Sequence, residues 1–174
     1  INCDLTDELF AEIFSTWVDF GGLILLKDQM LTTKQHIEFS RYFGPLFGDP
    51  NHEPLQNTVS RYMHPNHSQI YRVSNLVDKA GDPLGRKGAG TYWHSDVSFR
   101  ERPAQASILH AKQVPNCGGD TIFANQASAY DLLSSGMKKT LEDIFAWHDF
   151  SIAARTQYAD KIVVERDMHG DNQA

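Results

Sequence analysis

The sequence predicts an α+β domain in which helices cover a β-rich core. Helical periodicity comes first along the chain, and short strand-like segments separated by turns follow it. Strands and helices do not alternate regularly, and no GxGxxG or P-loop pattern occurs, so a nucleotide-binding βαβ fold is not indicated. The length of 174 residues is enough for one hydrophobic core, which predicts a single domain over residues 1–174.

Two helices are predicted near the beginning of the chain. Residues 6–19 repeat apolar side chains at helical spacing, and Thr6 has the right position and side chain for an N-cap. A second helix is predicted over residues 33–43, because Thr32 and Gln35 have the spacing of a capping box.

The β-rich part is predicted from alternating or short apolar segments. Residues 44–68 are rich in Pro, His and Asn and predict a long loop, a feature that is often functional in a compact domain. The predicted strands are residues 23–26, 69–76, 91–99, 106–111 and 121–124. A last helix is predicted over residues 126–146, followed by a polar tail.

Composition excludes several classes of protein. The net charge of −6 argues against nucleic acid as a partner, because phosphate backbones are bound by concentrated Lys and Arg. No apolar run approaches the roughly 20 residues of a membrane span. The acidic N-terminal stretch does not resemble a signal peptide, which predicts a cytoplasmic location. The 2 cysteines do not form a disulfide framework or a CxxC metal motif.

The segment from Tyr92 to Phe99 contains the pattern that points to chemistry. If it is a strand, His94 and Asp96 lie on the same face, about 7 Å apart at roughly 3.3 Å per residue. An imidazole and a carboxylate, with a second His from elsewhere, form the metal-binding face of non-haem Fe(II) oxygenases. Taken alone, a short His-x-Asp pattern is more often a surface ion pair or a hydrogen-bonded core histidine than a metal site, and both alternatives remain open.

The other histidines are weaker candidates for metal ligands. His110 is predicted to pack in the core or line a pocket, and His148 to cap or pack against a helix end. His64 and His67 lie in the predicted loop, where solvated side chains are the expected alternative. His169 lies in the polar tail and is not expected to bind a metal.

Five stretches of the sequence, taken in order, point to one protein family. They are residues 20–29, 35–46, 92–99, 118–123 and 146–150. In this order they resemble the first core strand, the helix after it, the metal-binding strand, the cosubstrate strand and the end of the next helix in the taurine dioxygenase/2,4-dichlorophenoxyacetate dioxygenase family of Fe(II)- and 2-oxoglutarate-dependent enzymes. Their occurrence together is more specific than any one motif.

The resemblance implies a double-stranded β-helix, a form of jelly roll, with flanking helices. It implies that His94 and Asp96 bind Fe(II), that Thr121 hydrogen-bonds a carboxylate of 2-oxoglutarate, and that Val97 lines the substrate pocket. For Thr121, an ordinary strand position is the alternative. The implied reaction uses O2 and 2-oxoglutarate to oxidise a C–H bond of a small sulfonate-, sulfate- or carboxylate-bearing molecule, releasing succinate and CO2.

The sequence departs from the family pattern in two respects. The family has a second iron-binding His and a 2-oxoglutarate-binding Arg far downstream, and neither Arg155 nor Arg166 has a matching context. We therefore expect those residues beyond residue 174, and no turnover by residues 1–174 alone. Asp49 stands where taurine-specific members carry a His, which argues against taurine as the substrate.

Two other functions and one question of assembly remain open from the sequence. The first alternative is a truncated or degenerate non-catalytic relative of the family. The second is a metal-dependent hydrolase or cupin-like enzyme, against which the order of the matching stretches argues. Homo-oligomerisation is left open, since an incomplete jelly roll would expose strand edges.

Overall fold

The computed structural model describes residues 5–52, 61–88 and 90–149. Its helices and strands, in chain order, are α1 (Asp7–Asp19), α2 (Thr33–Arg41), β1 (Met63–His64), β2 (His67–Tyr71), α3 (Gln126–Asp131) and α4 (Ser135–Leu141). The chain divides into two compact units. One unit combines Ile1–His36 with Leu109–Ala146, and the other combines Ile37–Ile108 with Trp147–Ala174. This mixture of helices and a small sheet agrees with the predicted α+β class.

Helix α1 begins and ends where local chemistry predicts. The Leu9 amide donates to Thr6 Oγ1 over 3.2 Å, so Thr6 is the N-cap and the first predicted helix is confirmed. At the other end, Trp17 Nε1 donates to the Gly22 carbonyl over 2.6 Å. That bond holds the turn after the helix, and Ile13 supplies the buried contact of the helix face.

Helix α2 begins with a complete capping box. The Thr32 amide donates to Gln35 Oε1 over 2.9 Å, and the Gln35 amide donates to Thr32 Oγ1 over 3.2 Å. The second predicted helix is thus confirmed, although it ends at Arg41 and not at residue 43. Ile37 and Phe39 are its buried side chains.

A buried carboxylate anchors the loop after α2. Asp49 is only 2% exposed, and its carboxylate accepts hydrogen bonds from Arg41 Nη2 at 2.8 Å, from the Asn51 amide at 3.0 Å and from Asn51 Nδ2 at 3.2 Å. The Asn51 amide bond is the main cause that lowers the pKa of Asp49; burial opposes it, and Arg41 lowers the pKa further. Asp49 therefore holds the loop to α2, and its carboxylate is occupied by the protein itself.

The same loop is also joined to the small sheet. Ser68 Oγ donates to the Gly48 carbonyl, and a Cβ on Gly48 would lie 2.2 Å from the Ser68 carbonyl oxygen. Gly48 also has a φ of +75°, which side chains rarely adopt. Only glycine therefore fits where the loop passes β2.

Most of the predicted strands are wrong. Only residues 69–76 overlap an observed strand, β2, which pairs antiparallel with β1 in a two-stranded sheet. β1 lies inside residues 44–68, which were predicted to be loop. The structure has no strand at four other segments where strands were predicted, residues 23–26, 91–99, 106–111 and 121–124. An extended segment becomes a strand only when another segment hydrogen-bonds to it, and the described residues provide no such partner.

The helix predicted over residues 126–146 is two short helices, α3 and α4. Ser134 interrupts it, because its hydroxyl accepts from the Met137 amide over 3.2 Å and so caps a new helix. Side chains of the predicted apolar face are not buried: Tyr130 is 50% exposed, Met137 48%, Leu141 38%, Ile144 61% and Phe145 95%. Amphipathic spacing alone did not reveal the internal cap.

None of the helices in the described ranges is both long and apolar enough to cross a lipid bilayer.

Replacing the buried carboxylate should weaken the fold. Asp49→Asn keeps the size of the side chain but sets an amide against donors from Arg41 and Asn51. We expect the free energy of unfolding at pH 7 to fall by about 1–3 kcal/mol, the usual cost of an unsatisfied buried polar group. Urea denaturation measures it, with the exposed Asp82→Asn as a matched control. Equal midpoints and slopes for wild type and Asp49→Asn would contradict this role.

The same variant should change how the free energy of unfolding depends on pH in acid. Because the pKa of Asp49 is lower in the folded protein than its ordinary 3.8, its ionised form stabilises the fold above that value. This contribution is lost as the pH falls through the lower folded-state pKa. The stability gap between wild type and Asp49→Asn should therefore narrow as the pH falls below 3.8. A gap that is independent of pH would contradict this.

Candidate metal centre

His94 and Asp96 lie side by side. His94 Nε2 is 3.4 Å from Asp96 Oδ1, and the two side chains are 36% and 56% exposed. Two ligand atoms at about 2.1 Å from one ion, at right angles, are about 3.0 Å apart. The pair is therefore spaced so that a small movement would let both atoms bind one ion, and it is open to solvent.

The backbone brings them together in a way that differs from the prediction. Residues 91–99 were predicted to be a strand, but they contain a turn in which the Arg100 amide donates to the Val97 carbonyl over 3.0 Å. Val97 has a φ of +47°, a left-handed conformation that β-branched residues rarely adopt. The side chains thus converge beside a turn, and strand alternation is not the cause.

The Tyr92 carbonyl determines which ring nitrogen of His94 has a lone pair available for a metal ion. His94 Nδ1 lies 2.7 Å from the Tyr92 carbonyl oxygen. A carbonyl only accepts, so Nδ1 carries the hydrogen and donates it. In the neutral ring the lone pair is then on Nε2, the atom that faces Asp96. His94 is thereby oriented as an Nε2 ligand.

Ser107 also contacts the candidate site, although no sequence motif indicates it. Its hydroxyl donates to Asp96 Oδ2 over 2.5 Å, within the range of a charge-assisted O–H···O⁻ bond. Ser107 lies eleven residues after Asp96, in a segment predicted to be a strand. No motif links the two positions, so only the folded backbone reveals the contact.

Among the residues that the structure describes, no third His, Cys, Asp or Glu joins His94 and Asp96 in a potential metal-binding group. His148 is near this part of the chain: its Nδ1 is 3.0 Å from Ser98 Oγ. His169 lies outside the described residues, as do Arg155 and Arg166.

Four other histidines make ring contacts with one another. In the unit that contains α1, His110 Nε2 donates to the Gln29 carbonyl over 3.2 Å, and its ring packs edge-on against His36 at 5.6 Å. In the other unit, the rings of His64 and His67 are 5.0 Å apart.

His64 is poorly prepared to bind a metal. Burial lowers its pKa, and the nearby charges of His67 and Arg72 lower it further, which favours the neutral ring that metals bind; the obstacle is a hydrogen bond to the ring. The Asn66 amide donates to His64 Nδ1 over 3.2 Å, which uses that lone pair and leaves the hydrogen on Nε2.

The two other residues implied by the family resemblance have different surroundings. Thr121 is exposed, belongs to the unit that contains α1, and follows a turn at Gly118 and Gly119, both with a φ of +76°. Val97 is half-buried and directly follows Asp96. The predicted roles of both side chains stay predictions.

Comparison with known proteins identifies related sequences. Residues 2–173 match the model of a family described as "Taurine catabolism dioxygenase TauD, TfdA family". The alpha-ketoglutarate-dependent 2,4-dichlorophenoxyacetate dioxygenase of Cupriavidus pinatubonensis is 35% identical over 135 residues, which are 75% of this chain and 46% of the relative. Pentalenolactone F synthase of Streptomyces arenae is 32% identical over 168 residues, 93% of this chain and 50% of the relative. An alkylsulfatase of Acinetobacter baylyi is 39% identical over 145 residues, which are 80% of this chain and 41% of the relative.

The chain spans about half the length, or less, of these curated relatives. No solved structure matches it. The family match covers nearly the whole chain, including the His94–Asp96 segment, Thr121 and Val97. The chain belongs to the TauD/TfdA family of taurine catabolism dioxygenases.

Proposed function

We propose that the whole protein is an Fe(II)- and 2-oxoglutarate-dependent dioxygenase. The observation that carries this proposal is the His94–Asp96 pair, with Nε2 of the histidine free and 3.4 Å from the carboxylate, in a chain of this family. The substrate we propose is a small organic molecule with a carboxylate, sulfate or sulfonate group. Two relatives named above support an anionic substrate, since their names refer to a phenoxyacetate and to alkyl sulfates.

We further propose that residues 1–174 belong to one domain whose core is a double-stranded β-helix. Family membership supports this architecture.

The donor set fits iron. His94 would bind it through Nε2 and Asp96 through Oδ1, a nitrogen and an anionic oxygen of the kind that suits non-haem Fe(II). When bound, the iron supplies the coupling of 2-oxoglutarate decarboxylation by O2 to oxidation of a substrate C–H bond. The Tyr92 carbonyl keeps the hydrogen of His94 on Nδ1, and Asp96 supplies negative charge.

Thr121 and Val97 complete the proposed roles. The Thr121 hydroxyl donates to a carboxylate of 2-oxoglutarate, and the Val97 side chain contributes apolar surface to the substrate pocket and excludes water there. Both roles rest on the family resemblance, and both residues lie within the matched residues 2–173.

A non-catalytic relative of the family is the second candidate. The exposure of His94 and Asp96 favours it, because an exposed imidazole and carboxylate can remain a simple ion pair in water. The absence of 2-oxoglutarate decarboxylation by the iron-loaded whole protein, with a panel of carboxylates, alkyl sulfates and sulfonates, would favour this candidate over the enzyme.

Removing the anionic ligand should abolish the reaction. In the whole protein, Asp96→Ala deletes the carboxylate that faces His94, so iron-dependent succinate formation from 2-oxoglutarate should fall to background. Asp82→Ala, which deletes another exposed carboxylate, should retain full activity. Undiminished succinate formation by Asp96→Ala would contradict the proposed metal ligand.

Removing one hydroxyl should weaken cosubstrate binding. Thr121→Val keeps the shape of the side chain, and a hydrogen bond to a charged group contributes about 1.5–3 kcal/mol. The KM for 2-oxoglutarate should therefore rise roughly 10-fold or more, with the thermal unfolding midpoint unchanged. Thr121→Ser keeps the donor and should bind 2-oxoglutarate nearly as well as the wild type. An unchanged KM in Thr121→Val would show that the Thr121 hydroxyl does not bind 2-oxoglutarate.

A further inference from the structure

We propose that Ser107 is a positioning residue for the metal ligand Asp96. The inference rests on the proposed function, because it requires that Asp96 binds a metal. It concerns a contact that neither the predicted motif nor the family resemblance included.

The two oxygens of Asp96 have different neighbours. Oδ2 accepts the Ser107 hydroxyl over 2.5 Å, and Oδ1 is 3.4 Å from His94 Nε2. A carboxylate that is hydrogen-bonded at one oxygen can no longer rotate freely about its Cβ–Cγ bond. Ser107 therefore fixes which oxygen of Asp96 is presented beside the imidazole.

The bond also restrains the chain between the two residues. The eleven-residue separation contains the turn closed by Arg100 and Val97. Asp96 and Ser107 are both exposed, so the carboxylate is not held in place by burial. In such a solvent-exposed position a directed hydrogen bond, more than packing, limits the rotamers of Asp96.

As a consequence, Asp96 would bind the metal through only one of its two carboxylate oxygens. Non-haem iron sites of this type need open coordination positions, and a carboxylate that binds through both oxygens would occupy one of them. With Oδ2 engaged by Ser107, Oδ1 is the oxygen left to bind. Ser107 also withdraws charge from Asp96 through a charge-assisted bond, as outer partners of metal ligands commonly do.

The test compares variants of the whole protein in anaerobic titration with Co(II), followed by its visible absorption. Ser107→Ala removes the donor, and Ser107→Thr retains a hydroxyl. Ser74→Ala is the matched control, since it deletes a serine hydroxyl that accepts from the Leu76 amide in the same unit. The thermal unfolding midpoint of each metal-free variant is measured in parallel.

We expect Ser107→Ala to weaken Co(II) binding about 10- to 100-fold, the range found for outer partners of metal ligands. Ser107→Thr should restore binding, Ser74→Ala should match the wild type, and the metal-free midpoints should be equal. Wild-type affinity in Ser107→Ala would overturn the role of Ser107. So would a loss of affinity that Ser107→Thr does not restore and that accompanies a lower metal-free midpoint.

Asp96→Ala separates this failure from failure of the proposed function. If the wild type does not bind Co(II), or if Asp96→Ala binds it as tightly, the metal site itself is wrong and the role of Ser107 falls with it. If Asp96→Ala loses binding while Ser107→Ala keeps it, only the role of Ser107 is wrong.

Discussion

The Tyr92 carbonyl decides which nitrogen of His94 can bind a metal. A neutral imidazole has one lone pair available, and the 2.7 Å bond from Nδ1 to this carbonyl leaves that lone pair on Nε2. Because Nε2 faces Asp96 Oδ1, the basic nitrogen and the anionic oxygen are adjacent before any metal arrives. The proposed oxygenase chemistry depends on that arrangement, and the reverse tautomer would place a hydrogen between the two atoms.

The parts of the fold that depend on residues close together in the sequence could be predicted from it. Thr6 caps α1, and Thr32 with Gln35 caps α2, because these contacts join residues three apart. Strands could not be predicted in the same way. Residues 106–111 look like a strand by periodicity, yet a strand also needs a hydrogen-bonding partner that periodicity does not specify. The break at Ser134 shows the same limit within a helix, since its side chain could continue the helix or cap a new one.

The sequence predicts that His94 and Asp96 lie side by side, as they do, but through a geometry that the structure does not have. His94 and Asp96 were expected to share a face of a strand, whereas they converge beside a turn that contains Val97 in a left-handed conformation. Ser107 could not have been found, because an eleven-residue separation carries no periodic signal. The carboxylate of Asp49 is buried against Arg41 and Asn51 and supports the loop, a role that the sequence around it does not indicate.

The proposed metal centre requires that His94 Nε2 and Asp96 Oδ1 bind the same ion. The most direct measurement is an anomalous difference map from crystals of the whole protein prepared without oxygen and loaded with Mn(II) in place of iron. We expect one strong peak at about 2.0–2.3 Å from both atoms, the distance range of nitrogen and oxygen ligands to such ions. A peak at another cluster of side chains, or a map in which the ion contacts neither atom, would contradict it.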